Sequence, residues 1–295
     1  MRLRLAAALL AALAGFAQAE PSALGCAELG EVLTDLTGYT LALPPAPNVE
    51  GWCIADSAVL RAEGRPRITV ERLHLAGQAV DGVPESLSLV LGGMRVVPEL
   101  SDRSMDPRLA SMLRLQTVDA MMLKLRRSPG AEGVQLEDGV IVLSGGTELS
   151  FEASFLGGGF SAREMIPAAL TSLHLDWRND GRLLRPVMEV AGERLVEGAT
   201  GSAAVDATRR EMLALVANLP DSAMEGDAAN ELRKAVEALP QGHGRLKLEF
   251  VSKAGIGLAR LALAAVSDAP TGPDALGRLF ADGRLTVDWQ PGLAP

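Results

Sequence analysis

Alternation of apolar and polar residues dominates the middle of the chain. RITVERLHLAG, ESLSLVLGGMRVV, VDAMMLKLRR, VQLEDGVIVLSGG, ELSFEASFLGG and SLHLDWRNDG all run at period two. That is the pattern of strands with one buried and one wet face, which antiparallel sheets produce. Leu173, Leu175 and Trp177 fall on one face, His174, Asp176 and Arg178 on the other. In VQLE-DG-VIVL, Asp138-Gly139 reads as a two-residue hairpin turn, because both residues accept positive φ. In RITVERLHL the phase slips between Ile68/Val70 and Leu73/Leu75, and a bulge near Glu71-Arg72 accounts for it.

Helical spacing occurs in fewer places. After Ser22, an expected N-cap, Leu29, Val32, Leu33 and Leu36 form a stripe with Cys26 on the same face. Residues 202–239 read as a helical hairpin: Val205, Met212, Leu215 and Leu219 before Pro220, then Leu232, Ala235, Val236 and Leu239 before Pro240. Shorter helices are expected over 106–114 and near Pro273 to Ala281. GRLKLEFVSK and GRLTVDWQPG return to strand, and AGIGLARLALAAV is open between strand and helix. LHLDWR at 173–178 and LTVDWQ at 285–290 echo each other over too short a stretch to imply duplication.

These elements predict an α+β, mainly β fold. It is a curved antiparallel sheet or β-groove with an N-terminal helix and a helical hairpin. One domain spans 20–295, with Ile141/Leu143, Leu173/Leu175 and Leu246/Leu248 contributing to a continuous aliphatic sheet face. Such a face must be covered by helices, by a second sheet or by a ligand. A closed sandwich and an open groove both satisfy the pattern.

The first residues change the compartment. Arg2 and Arg4, an apolar run from Leu5 to Phe16 and the small-x-small site Ala17-Gln18-Ala19 read as a signal peptide cleaved after Ala19. The run is too short for a permanent membrane anchor, which needs about 20 apolar residues. Cys26 lies too far beyond that run, with Leu24 one place off, to be a lipid-attachment site. One other cysteine, Cys53, follows Trp52 at the start of an extended run. In an oxidising compartment the two are expected to pair. Their disulfide would close a loop worth about 3.5 kcal/mol of unfolded-chain entropy. Periplasmic localisation follows as an expectation.

Composition removes partner classes. Cleavage takes two of the 28 basic side chains and none of the 37 acidic ones, leaving a net charge of −11. That argues against nucleic acid and anionic membrane surfaces. The locally basic stretch 101–130, with Arg103, Arg108, Arg114, Lys124, Arg126 and Arg127, reads as solvated strand and helix ends in preference to a phosphate-binding patch. Aromatics are 3% of the chain, so the core is aliphatic and stacking platforms are scarce.

No residue is expected to be catalytic, cofactor-binding or metal-binding. His74, His174 and His243 are isolated in sequence and form no HExxH. There is no GxSxG elbow, and Ser144 falls in the turn LSGGT. Gly157-Gly158-Gly159 lacks phosphate-loop spacing. Glu28, Glu31 and Asp35 share the wet face of the first helix. Asp176 and Asp288, each beside a Trp, are the carboxylates best placed to be perturbed.

The leader, the long alternating strands ending in polar-Gly turns, the low aromatic content and the closing DGRLTVDWQPG strand resemble bacterial envelope proteins of the AsmA-like and related periplasmic families. The resemblance covers the pattern of about two thirds of the mature chain and carries over no site residue. It implies a β-groove with a lipid-facing interior. The expected function is therefore a non-enzymatic periplasmic module that binds an apolar, lipid-like ligand or an envelope protein. A periplasmic hydrolase whose site assembles only in three dimensions is the alternative. Ligand identity and oligomeric state do not follow from the sequence.

Overall fold

The computed structural model describes residues 21–48, 50–97, 117–128, 133–179, 184–240, 243–261, 276–277, 279–280 and 282–292. The leader and the helix expected at 106–114 lie outside these residues. So does most of the one expected near 273–281, of which Leu276 and Gly277 are helical.

A single antiparallel sheet of ten strands is the frame. From β3 (Arg67–Val80) it runs as an uninterrupted meander through β4 (Val83–Val97), β5 (Val118–Arg127), β6 (Gly133–Leu143) and β7 (Glu148–Leu156). It continues through β8 (Ala169–Asn179) and β9 (Gly244–Gly257) to β10 (Gly283–Pro291). The outer side of β3 is shared by β2 (Cys53–Leu60) and the two-residue β1 (Ser22–Ala23), which pairs with Ala79 and Gln78. Among the described residues β2 and β10 are not paired, and the sheet stays open. An open meander is the expected α+β, mainly β class, and it is not a closed sandwich.

Helices lie at the two ends. α1 (Cys26–Thr37) buries Cys26, Leu29, Val32 and Leu33 against Leu73, Leu75, Leu87 and Leu91 of β3 and β4. Each such leucine contributes about 1.5–3 kcal/mol by leaving water. Ser22 is not its cap: Ser22 pairs in β1, and Gly25 takes the N-cap place, with its N–H donating to Glu28 Oε2 at 2.7 Å. Gly77 is where the helix seats, since a Cβ there would lie 2.9 Å from Leu29 Cδ2.

After β7 a short helix, α2 (Ala162–Met165), follows Phe160, which is buried in the α1 cluster. At the other end α3 (Leu184–Leu195), α4 (Ser202–Ala217) and α5 (Ala228–Ala238) form a layer over β8 to β10. α4 and α5 are the expected hairpin. α3 has no counterpart among the elements expected from the sequence, and it contains both Pro186 and Gly192. Pro186 falls in the first turn, where no intrahelical N–H is required. Gly192 meets α4 so closely that a Cβ would fall 1.8 Å from the Ala204 carbonyl oxygen.

Two strand readings are corrected. Asp138-Gly139 is not a turn; β6 runs straight through it, with a register shift between Leu136 and Gly139. Gly139 is there for space, as a Cβ would sit 2.7 Å from the Phe151 ring carried by β7. The real turn follows Leu143, where Gly145 and Gly146 take positive φ. The phase slip at Glu71-Arg72 is present, and Val70 and Leu73, three apart, are both buried. No residue is inserted, however: Thr69 pairs with Arg95 and Arg72 with Gly92. Left-handed Ser57 (φ 54°) and Gly93 (φ 65°) on the flanking strands take up the distortion. AGIGLARLALAAV resolves into both readings, with strand to Gly257 and helix over 258–261.

Candidate functional site

Three cross-strand rows of side chains occupy one face of the sheet. The first reads Leu73, Leu91, Met121, Ile141, Leu149, Trp177, Leu246, Trp289 from β3 to β10. The second starts at Leu75 and Leu89 and passes Leu123, Gly139, Phe151, Leu175 and Leu248 to Val287. The third runs from Gly77 through Leu87, Leu125, Leu136, Ala153, Leu173 and Phe250 to Leu285. No polar side chain enters any of them. The alternation seen in separate strands is thus phased in common by the register, and the bulge of β6 between Leu136 and Gly139 preserves that phase.

The rows are not covered evenly. Their first strands lie under α1, and their last under α3 to α5, where Trp177 and Trp289 flank Leu246 and pack on Ala235. The LHLDWR and LTVDWQ echo places these two tryptophans in one row, separated by β9. Between the ends, Leu123, Ile141, Leu149, Phe151 and Leu175 are half-buried.

The opposite face carries the charged side chains, together with exposed Val90, Met122 and Val251. Arg245 grips Asp176 with two donors: Nε reaches Oδ1 at 2.8 Å and Nη2 bonds Oδ2. That contact holds the Asp176 carboxyl below the ordinary carboxylate range, against a smaller opposing effect of burial. Such a carboxylate stays ionised, unlike an acid catalyst. Asp288 accepts from Gln290 Nε2 at 2.7 Å. Glu137 is likewise held below its ordinary range, first by the hydrogen bond from Lys124, with Nζ at 2.8 Å and Arg126 at 3.5 Å.

His174 lies on this face between Glu152 and Glu249 of the neighbouring strands. It shares a concavity of about 560 Å³ with Ser154 and Ser172. Among the described residues no hydrogen bond links it to either serine. His74 stacks edge-on against Trp52 with ring centroids 6.1 Å apart. His243 is exposed, and its carbonyl accepts from Gly292 N–H. Among the described residues no group of three His, Cys, Asp or Glu is arranged to hold a metal ion. Glu28, Glu31 and Asp35 are exposed. Gly157 and Gly158 take positive φ in the loop after β7, and Ser144 stands in the β6–β7 turn.

Cys26 and Cys53 form a disulfide, with Cα atoms 5.5 Å apart, and both are fully buried. It ties the first turn of α1 to the start of β2, beside Leu75. Among the described residues no helix is long and apolar enough to cross a membrane.

No family model matches the chain, and no curated protein matches it. The functional reading therefore rests on the molecule itself. Sequence reasoning counted Arg127 among solvated strand ends and missed its place on the apolar face. The residue is in phase with Leu123 and Leu125 and stands at the end of that face. The signal was present in VDAMMLKLRR, where the last arginine occupies an apolar-phase position.

Proposed function

We propose that the chain is a non-enzymatic periplasmic module that holds an apolar, lipid-like ligand against the aliphatic face of its sheet. The observation that supports this most is the three unbroken apolar rows across eight strands. Of their central members, Leu123, Ile141, Leu149, Phe151 and Leu175 are half-buried and belong to none of the clusters at either end. Each CH₂ of an acyl chain that leaves water there contributes about 0.8 kcal/mol, so half a chain would offset the cost of immobilising it. The Cys26–Cys53 disulfide agrees with an oxidising compartment. Export after cleavage at Ala19, and the likeness of the pattern to AsmA-like envelope proteins, belong to the same reading.

Titration with a fluorescent long-chain fatty acid tests it. Saturable binding at micromolar concentrations is expected, together with at least a tenfold loss in Leu123→Glu and Leu175→Glu. Absence of saturable binding by the folded protein would overturn the reading and leave the face to an envelope protein partner.

A further inference from the structure

From Ala120 on, past the register shift at Val118/Ala120, Arg127 is the one charged residue in phase with the aliphatic set on the described parts of β5 to β10. The other cations of these strands, among them Lys124, Arg126, Arg178, Arg245 and Lys247, fall on the opposite face. There Lys124, Arg126, Arg178 and Arg245 have carboxylate partners. Arg127 pairs across the ladder with buried Val134 and stands two places from Leu125 on the same face. Its guanidinium lies 5.5 Å from the centroid of Phe160, itself 3% exposed, and its Nε donates to the Pro84 carbonyl at 2.8 Å.

Those two contacts fix the plane of the group and use one of its five donors. The two Nη groups have no protein partner among the described residues, and no carboxylate is in ion-pair range. A half-buried guanidinium in that condition lacks the compensation that buried charge ordinarily finds. Arginine presents its remaining donors as a planar fork, which matches a carboxylate or a phosphate.

From this placement we infer that the ligand of the aliphatic face is an acyl chain ending in an anionic headgroup, and that Arg127 binds the headgroup. The inference rests on the reading of that face as a lipid site. The chain then extends from Arg127 along Leu125, Leu123 and Met121, six residue steps or about 20 Å at the rise of a strand. The rest of the molecule makes the choice of a single cation informative. A chain with so large an acidic excess offers anions little general attraction, so selectivity for one would be local to Arg127.

The test compares three probes with the same sixteen-carbon chain: hexadecanoic acid, hexadecyl phosphate and hexadecanol. Each displaces a fluorescent fatty acid from the full mature chain. At least a tenfold preference for one or both anions over the alcohol is expected, and whichever anion binds more tightly separates a carboxylate from a phosphate ligand. Arg127→Met is expected to abolish the preference while leaving hexadecanol binding within about twofold. Arg127→Lys should retain part of it, and Arg126→Met on the opposite face should leave it intact. Thermal unfolding of each variant reports that it is folded, and the comparison in the unsubstituted protein needs no variant. Equal affinity for acid, phosphate and alcohol would overturn the headgroup assignment and leave the apolar reading standing. So would a preference that survives in Arg127→Met. Failure of all three probes to bind would remove the apolar reading itself, and the headgroup with it.

Discussion

The same three apolar rows are sealed differently at the two ends of the sheet. Over β3 and β4 the cover is one 12-residue helix, and its first residue is bonded to β2. Over β8 to β10 it is a layer of three helices closed on tryptophan rings, with α3 and α4 in backbone contact at Gly192. A lone helix of that length is marginal in water, so α1 depends on what it is attached to. Three helices supply much of their own contact surface and need no covalent tie. The covalent clasp stands where the cover is thin.

The largest expected effect comes from breaking the C-terminal seal. Trp289→Ala removes the ring that packs on Leu246, Ala235 and the bare backbone of Gly244. It should cost about 4 kcal/mol in urea unfolding. Trp177 reports on that end and Trp52, beside His74, on the other. Fluorescence in single-tryptophan backgrounds therefore shows whether both ends melt together. A loss below about 1 kcal/mol would mean the helical layer holds without the ring.

Removing the clasp comes next. The Cys26→Ala, Cys53→Ala double variant is expected to lose about 3.5 kcal/mol through the loop the bond closes. Combined with Trp289→Ala, the two losses should add to within about 0.5 kcal/mol, as they do for distant sites. Strong coupling in that cycle would show that the two ends are one cooperative seal and not two.

The smallest effect is electrostatic and tests the charged face behind the C-terminal end. Because Arg245 depresses the Asp176 carboxyl below its usual 3.8, the pair stabilises the fold fully above the unfolded-state value. That stabilisation is lost as pH falls through the depressed folded-state value. The side chains are 35% and 19% exposed, so solvent screening keeps the contribution near 1 kcal/mol or below. Asp176→Asn should lower Tm at pH 7 and converge with the unsubstituted protein as pH falls through the depressed folded-state value. A gap that persisted in acid would assign the loss to packing.

Features governed by local phase were readable from the sequence. Leu173, Leu175 and Trp177 do share a face, Val205 and Val236 are buried in the hairpin, and Cys26 and Cys53 are joined. What failed depended on neighbours distant in sequence. Asp138-Gly139 has the chemistry of a turn, but a Phe151 ring from the next strand occupies the space a side chain would need. α3 was not read from the sequence at all; it holds Pro186 and Gly192, whose tolerance comes from a helix end and from the Ala204 backbone. The site was legible as an alternation within single strands. The common phase of eight strands was not, since the register shift at Leu136/Gly139 keeps the rows aligned and leaves no mark in composition.

The meander also has a consequence for the order in which the molecule can be made. From β3 onward each strand pairs with the one just before it, without a crossover. Every step of assembly therefore requires only chain that has already emerged. Cys26 and Cys53 are 27 positions apart near the start, so the thinly covered end can be oxidised and fastened first. The growing sheet would then be extended from a locked template, with its most recent strand as the open edge. The helical layer at the far end arrives just ahead of β9 and β10, which it covers. Growth from one end thus stops at an edge strand whose helical cover is already synthesised.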